Sequence, residues 1–140
     1  MKILLAVDGS PYTRRMLAYL VAHDEWLGTR HEYTLVHAVP MVPTRAAAML
    51  DKSIVKSYYD ESAEKVFKPI RSFFERQGMK ASYVYKAGPA AETIVDQAAR
   101  SRADLIVMGS HGHGPLARLV LGSVATKVIA QTKVPVLLVR

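Results

Sequence analysis

The residues best suited to chemistry in this 140-residue chain are the run Gly109-Ser110-His111-Gly112-His113-Gly114 and the pair Gly122-Ser123. Glycines let backbone N–H groups approach anionic oxygens with no Cβ in the way. A helix opening at Ser123 adds free N–H groups, a partial positive charge and a hydroxyl donor. A loop that folds back from Gly112 to Gly122 would place both sets around one polyphosphate. The charge distribution agrees. Beyond Asp104 there is no acidic residue, whereas His111, His113, Arg118, Lys127, Lys133 and Arg140 all follow. Turn formation alone would explain the glycines at 109–114; the Gly122-Ser123 pair at its spacing favours an anionic ligand.

Other chemistries fit less well. His111-x-His113 is the spacing of two metal ligands, but no carboxylate or third ligand lies nearby in sequence. No metal site built from protein side chains is therefore expected, and these histidines are read as phosphate-side donors or surface residues. Arg118 is read as a solvated loop residue, with contact to a phosphate as the alternative. His37 lies in an apolar run and is expected to be a hydrogen-bonded core residue. The pattern G-x-x-x-x-G-K-[ST] is absent, since no Gly-Lys dipeptide occurs. Without that lysine nothing in the motif neutralises charge on a transferring phosphoryl group. No nucleophile–base pair is evident, so holding a polyphosphate ligand with slow or negligible turnover is expected over efficient hydrolysis. A phosphoacceptor receiver would need several acidic residues after the first strand, and only Asp8 stands there.

Composition sets the outer bounds. The length suits one domain over residues 1–140, and 50% apolar content suffices for one core. Cysteine is absent, which removes disulfides and thiolate chemistry. The apolar run at residues 3–7 is too short for a secretory signal, and no run approaches the ~20 residues of a membrane span. A cytoplasmic protein is expected. The net charge of +7 raises the question of nucleic acid. The basic residues of the first half are interleaved with Asp51, Asp60, Glu61, Glu64 and Glu75, as on a solvated helix face. Nucleic-acid binding is accordingly not favoured.

The elements that must position the loop are legible as alternating patterns. Residues 3–7 read as a buried strand followed by the turn Asp8-Gly9-Ser10-Pro11, where Ser10 caps a helix and Pro11 starts it. Asp8 is suited to accept backbone N–H bonds in that turn. Met16, Leu17, Leu20, Val21 and Leu27 mark the buried face of a helix ended by Gly28. Strands are expected at 33–39, 81–87, 105–108 and 136–139. Helices are expected at 46–77, after Gly88-Pro89 with Ala91, Ile94, Val95 and Ala98 inward, and at 123–132 with Val124, Val128 and Ile129 inward. Pro69 predicts a kink or break near residues 65–68, and residues 40–48 carry weak signals. Strands separated by helices imply a parallel sheet covered on both faces, a doubly wound α/β domain in the order 3-2-1-4-5. In such sheets ligands bind beyond the C-terminal strand ends where the winding reverses. The last strand would lie at an edge with no charge before Arg140, an edge that pairing across a two-fold axis would satisfy.

The segment Met108-Gly109-Ser110-His111-Gly112 through Leu121-Gly122-Ser123-Val124 resembles the ATP-binding signature of the universal stress protein family at each glycine and at the serine. The likeness spans the chain, through residues 3–8, Leu35-Val36-His37-Ala38-Val39, Gly88-Pro89-Ala90 and Val134-Pro135-Val136-Leu137-Leu138-Val139. The resemblance implies a Rossmann-like domain of the adenine nucleotide alpha hydrolase type. It also implies that Gly109, Ser110, His111, Gly112, Gly122, Ser123 and Val124 surround the phosphates and ribose, largely through backbone groups. Asp8 would face the nucleoside, with Ala38 at the adenine edge and Ala6, Val7 and Met108 nearby; His113 and Arg118 would stand on the phosphate side. The implied ligand is ATP, or ADP or AMP, with any Mg or Mn held mainly by the phosphates. The implied assembly is a homodimer through Val136–Val139. The implied role is a nucleotide-dependent switch or sensor in stress response.

Overall fold

The computed structural model describes residues 1–114 and 120–140. Eleven elements alternate along these residues: β1 (Lys2–Ala6), α1 (Pro11–Ala22), α2 (Asp24–Leu27), β2 (Glu32–Val39), α3 (Thr44–Ala48), α4 (Lys52–Arg76), β3 (Ala81–Ala87), α5 (Ala90–Arg100), β4 (Leu105–Gly109), α6 (Ser123–Gln131) and β5 (Val136–Val139). All five strands are parallel, in the order β3-β2-β1-β4-β5. The expected doubly wound sheet is thus the observed one. β1 lies at its centre because its Ile-Leu-Leu run is apolar in both alternating sets, and a parallel strand covered on both faces must be.

The two sets face two layers. Ile3, Leu5 and Val7 join Leu35, Val107 and Val139 against α1 and α4, where Met16, Leu20, Phe67 and Phe74 are buried. Leu4 joins Val36, Ile106 and Met108 against α5 and α6, where Ala91, Ile94, Ala125 and Val128 are buried. On the α1/α4 side Tyr33 packs edge-on to Phe74 and donates its hydroxyl to the carbonyls of Leu27 and Gly28. Burial pushes that phenol up to about 12.

Helix α1 starts as its sequence specifies: Ser10 is the N-cap, its Oγ accepting from Thr13 N–H at 3.4 Å, and Pro11 follows. Its end departs from expectation. The helix stops at Ala22, and Leu27 reaches the core through the separate turn α2. The stripe is Thr13, Met16, Leu17 and Leu20, so Val21 falls off it and is 41% exposed. Ile129 in α6 is likewise 45% exposed, because the buried positions are Ala125 and Val128, three residues apart.

Of the kink or break expected near residues 65–68, the break does not occur. The interruption falls at residues 49–51, between α3 and α4, and α4 runs unbroken through Pro69. A proline costs the helix one N–H and crowds the carbonyl four residues back. Here Ala63, Phe67, Ile70 and Phe74 are buried on both sides of it, and that packing holds the helix together.

His37 is 8% exposed in β2. Its Nδ1 lies 2.8 Å from the Val7 carbonyl, and its ring meets Phe67 edge-on. With Val7 N–H donating to the Val36 carbonyl at 3.0 Å, this bond extends the β1–β2 junction past the end of β1 toward Asp8. Desolvation by burial lowers the imidazole below its usual 6.5, against the opposing pull of the Val7 carbonyl and Asp8. A base depressed in the folded state binds fewer protons there than in the unfolded chain. Its stabilising share is therefore complete above about pH 6.5 and is lost as pH falls toward the folded value. Urea unfolding at pH 7.5 and at 5.5 should show the wild type losing stability, and His37→Gln should lose measurably less.

Candidate functional site

β1 and β4 are neighbours, and the winding reverses between them. Their C-terminal ends open into two loops that meet. β4 ends at Gly109, paired with Val139 of β5, and Ser110 N–H continues the ladder to the Val139 carbonyl at 2.9 Å. The chain then leaves the sheet and returns at Gly122, whose N–H donates to the Ser110 carbonyl at 2.8 Å. One hydrogen bond therefore joins the two ends of the excursion. Gly122 permits this approach because a Cβ there would stand 3.0 Å from the Ser110 carbonyl oxygen and 3.1 Å from His111 Cα, both backbone atoms.

The return starts α6. Gly122 is its N-cap, with no side-chain cap bond, and the ladder begins with Thr126 N–H to the Gly122 carbonyl at 3.1 Å. The N–H groups of Ser123, Val124 and Ala125 precede that first bond at the positive end of the helix. These three residues, with Met108, Gly109, Ser110 and Gly112, line a cavity of ≈ 230 Å³. The Ser110 side chain is fully buried, its Oγ 2.9 Å from His111 Nδ1, and the His111 ring leans on Tyr12.

The turn after β1 lies against this loop. Asp8 Oδ1 accepts from Ser10 N–H at 2.9 Å and from Thr13 Oγ1 at 2.9 Å, while Asp8 N–H donates to Thr13 Oγ1 at 3.2 Å. The turn role expected of Asp8 is thus present. Its second oxygen, Oδ2, faces the loop and lies 2.8 Å from where a Cβ on Gly112 would stand. His113 Nε2 is 2.7 Å from the Asp8 carbonyl oxygen and ties the loop to β1. Thr13 is a member of this cluster that sequence reasoning did not single out, although its three-residue spacing from the cap Ser10 was visible.

Ala6, Ala38 and Met108 share the sheet face toward α5 and α6, by alternation with Leu4, Val36 and Ile106. Met108 belongs to the core cluster against which Ala6 and Val124 pack. Val7 does not share that face: its side chain is buried against α1 and α4, leaving only its backbone toward the turn. Arg118 lies outside the described residues. Among the described residues no three His, Cys, Asp or Glu side chains are grouped so as to hold a metal ion. The arrangement offers backbone donors, a helix terminus and one half-engaged carboxylate, which is equipment for binding an anion beside a polar group.

Two glycines of the excursion differ in what surrounds them, and this gives a direct test. Gly122→Ala must push backbone against backbone and should cost about 1–3 kcal/mol with no ligand present. At Gly114 nothing among the described residues lies within 4 Å of where a Cβ would stand, so Gly114→Ala should stay within about 0.5 kcal/mol of wild type. Denaturant unfolding of both variants decides the matter.

Comparison with known proteins shows the family and the fold. The universal stress protein family model matches residues 1–140. A universal stress protein of Thermus aquaticus, encoded in the QAH/OAS sulfhydrylase 3' region, is 37% identical over 139 residues, covering 99% of this chain and 97% of its own. The structure of the hypothetical protein MJ0577 superposes with a TM-score of 0.82 at 29% identity, over 99% of this chain and 94% of its own. The universal stress protein from Archaeoglobus fulgidus in complex with dAMP shares the fold with a TM-score of 0.68 at 22% identity, over 100% and 98% of the two chains. Other fold neighbours have AMP bound, at 13% identity and a TM-score of 0.69, or cAMP, at 19% and 0.65. Matched along its whole length, this chain belongs to the universal stress protein family.

Proposed function

We propose that this protein binds an adenine nucleotide, ATP or its ADP or AMP forms, in the crevice between the Gly109–Gly122 loop, Asp8 and β2. The observation that carries the reading is the closure of Ser110 on Gly122, which sets the loop glycines and the free N–H groups of α6 around one cavity. Phosphate oxygens suit those donors, with Gly109, Ser110, His111, Gly112, Gly122, Ser123 and Val124 around the phosphates and ribose. Asp8 Oδ2 is suited to a ribose hydroxyl, and the small side chains of Ala6 and Ala38 leave room for a flat base beside Met108. Relatives with AMP, dAMP and cAMP support the adenine base as the shared group. Any Mg or Mn accompanying ATP would be held mainly by the phosphates.

The site is one for retention. The sequence supplies no motif lysine to neutralise charge on a transferring phosphoryl group, and we read hydrolysis as at most weak. A bound nucleotide that is not consumed can report its own supply, and we read the protein as a cytoplasmic nucleotide-dependent switch or sensor in stress response. Heat denaturation followed by chromatography of the released small molecules should recover adenine nucleotide. Protein that emerges empty and takes up neither ATP, ADP nor AMP at millimolar concentration overturns the reading. Turnover at about 1 per second or faster, abolished in Gly112→Ala, would replace a switch with an ATPase.

We further propose a homodimer through β5. That strand pairs with β4 on one side, and its other edge carries Val-Leu-Leu-Val with no charged residue. Pairing with its copy across a two-fold axis satisfies those backbone groups. Sedimentation at micromolar concentration should give about twice the 15.5 kDa chain mass, and a monomer alone would refute the dimer.

A further inference from the structure

A second cavity, of ≈ 600 Å³, runs between α1 and α4 on the opposite side of the Asp8 turn from the nucleotide crevice. Its origin is local. α1 and the turn before it present Gly9, Thr13 and Ala18 toward α4, and small side chains facing a long helix leave a groove. The floor is apolar: Leu17 from α1 meets Val66, Ile70 and Phe73, which recur at helical spacing on α4. Leu17 and Ile70 are buried, while Val66 and Phe73 are half-buried and therefore reachable.

The rim is basic. Arg14 stands on one wall, Lys65 and Arg76 on the other, and all three are exposed. None forms an ion pair among the described residues, whose salt bridges involve Lys56, Arg71 and Lys86 instead. The one carboxylate lining the groove is Asp8, and its Oδ1 is already occupied by Ser10 and Thr13. Lys65 and Arg76 lie eleven residues apart on one helix, about 16 Å, or roughly the span of a dozen extended methylenes. The volume lies in the range of small-molecule sites, which pair apolar walls with a few placed polar groups.

We propose that this groove binds a single-chain amphipathic anion, a free fatty acid whose chain lies along α4 and whose carboxylate pairs with the rim cations. Charge complementarity selects the occupant. Three unpaired cations around an apolar trough reject a cationic or uncharged amphiphile and favour an anionic one. The cations that select the occupant, Arg14, Lys65 and Arg76, line this groove and not the ≈ 230 Å³ cavity; the two share His113, and Asp8 of the groove also borders the proposed nucleotide crevice.

Isothermal titration of the intact protein with dodecanoate, kept below its micelle concentration, tests this. Binding should be one to one, and at least tenfold tighter than for dodecyltrimethylammonium, which has the same chain and the opposite charge. The double variant Lys65→Glu/Arg76→Glu should weaken dodecanoate at least tenfold, and Ala18→Phe, which fills the groove from an exposed position, should do the same. Circular dichroism and the thermal midpoint establish that these surface variants remain folded. Equal affinity for both amphiphiles, or unchanged affinity in both variants, overturns the proposal. So does co-sedimentation with phosphatidylglycerol vesicles without binding of dodecanoate monomer, which would make the face a membrane contact.

Discussion

A single backbone hydrogen bond, from Gly122 N–H to the Ser110 carbonyl, sets the geometry on which the candidate site depends. It forces the chain to leave the sheet and return within one residue's reach, so that the end of β4 and the start of α6 share a wall. Without it the loop glycines and the helix terminus would be two unrelated features. The bond is possible because nothing occupies the Cβ position at 122. The same demand for close approach recurs at Gly112, where the Asp8 carboxylate takes the space a side chain would need. Loop and turn are therefore fitted to each other before any ligand arrives, which lowers the ordering cost of binding.

The sheet supplies the rigid base beneath this fitting. β1 and β4 run parallel at the centre, and their ends are held by ladder bonds that continue past the strands: Val7 to Val36, Ser110 to Val139, and His37 Nδ1 to Val7. A neutral, buried imidazole keeps the β1–β2 junction closed. It does so from the α1/α4 side, opposite the face that carries Ala6, Ala38 and Met108. The candidate binding side chains and this supporting imidazole thus lie on opposite faces of the sheet. The α1/α4 layer also carries an open trough with a basic rim.

The groups at the crevice are of the kind that hold an anion. Backbone donors and a helix terminus stabilise an anion in its ground state as readily as in a transition state, so they give affinity without acceleration. Asp8 has one oxygen committed to its own turn and one facing the loop, an arrangement suited to orienting a neutral polar group.

Much of this was legible in the sequence, for identifiable reasons. The strand pattern was readable because strands covered on both faces are uniformly apolar and short, and the turn residues between them are unmistakable. The loop was readable because glycines and Ser123 recur at a fixed spacing, and Ser10-Pro11 announced the start of α1. What sequence periodicity could not decide was where packing would outweigh propensity. Pro69 should break a helix, yet buried Phe67, Ile70 and Phe74 carry α4 through it. Val21 and Ile129 are apolar but fall off the buried stripes, because the stripe is fixed by the helix's rotation against the sheet. Sequence alone determined the fold class, the loop and its neighbours, since these follow from local pattern and topology. Only the tertiary structure decided that Thr13 holds Asp8, that His113 ties the loop to β1, and that α1 and α4 stand apart, because each depends on distances between residues remote in the chain.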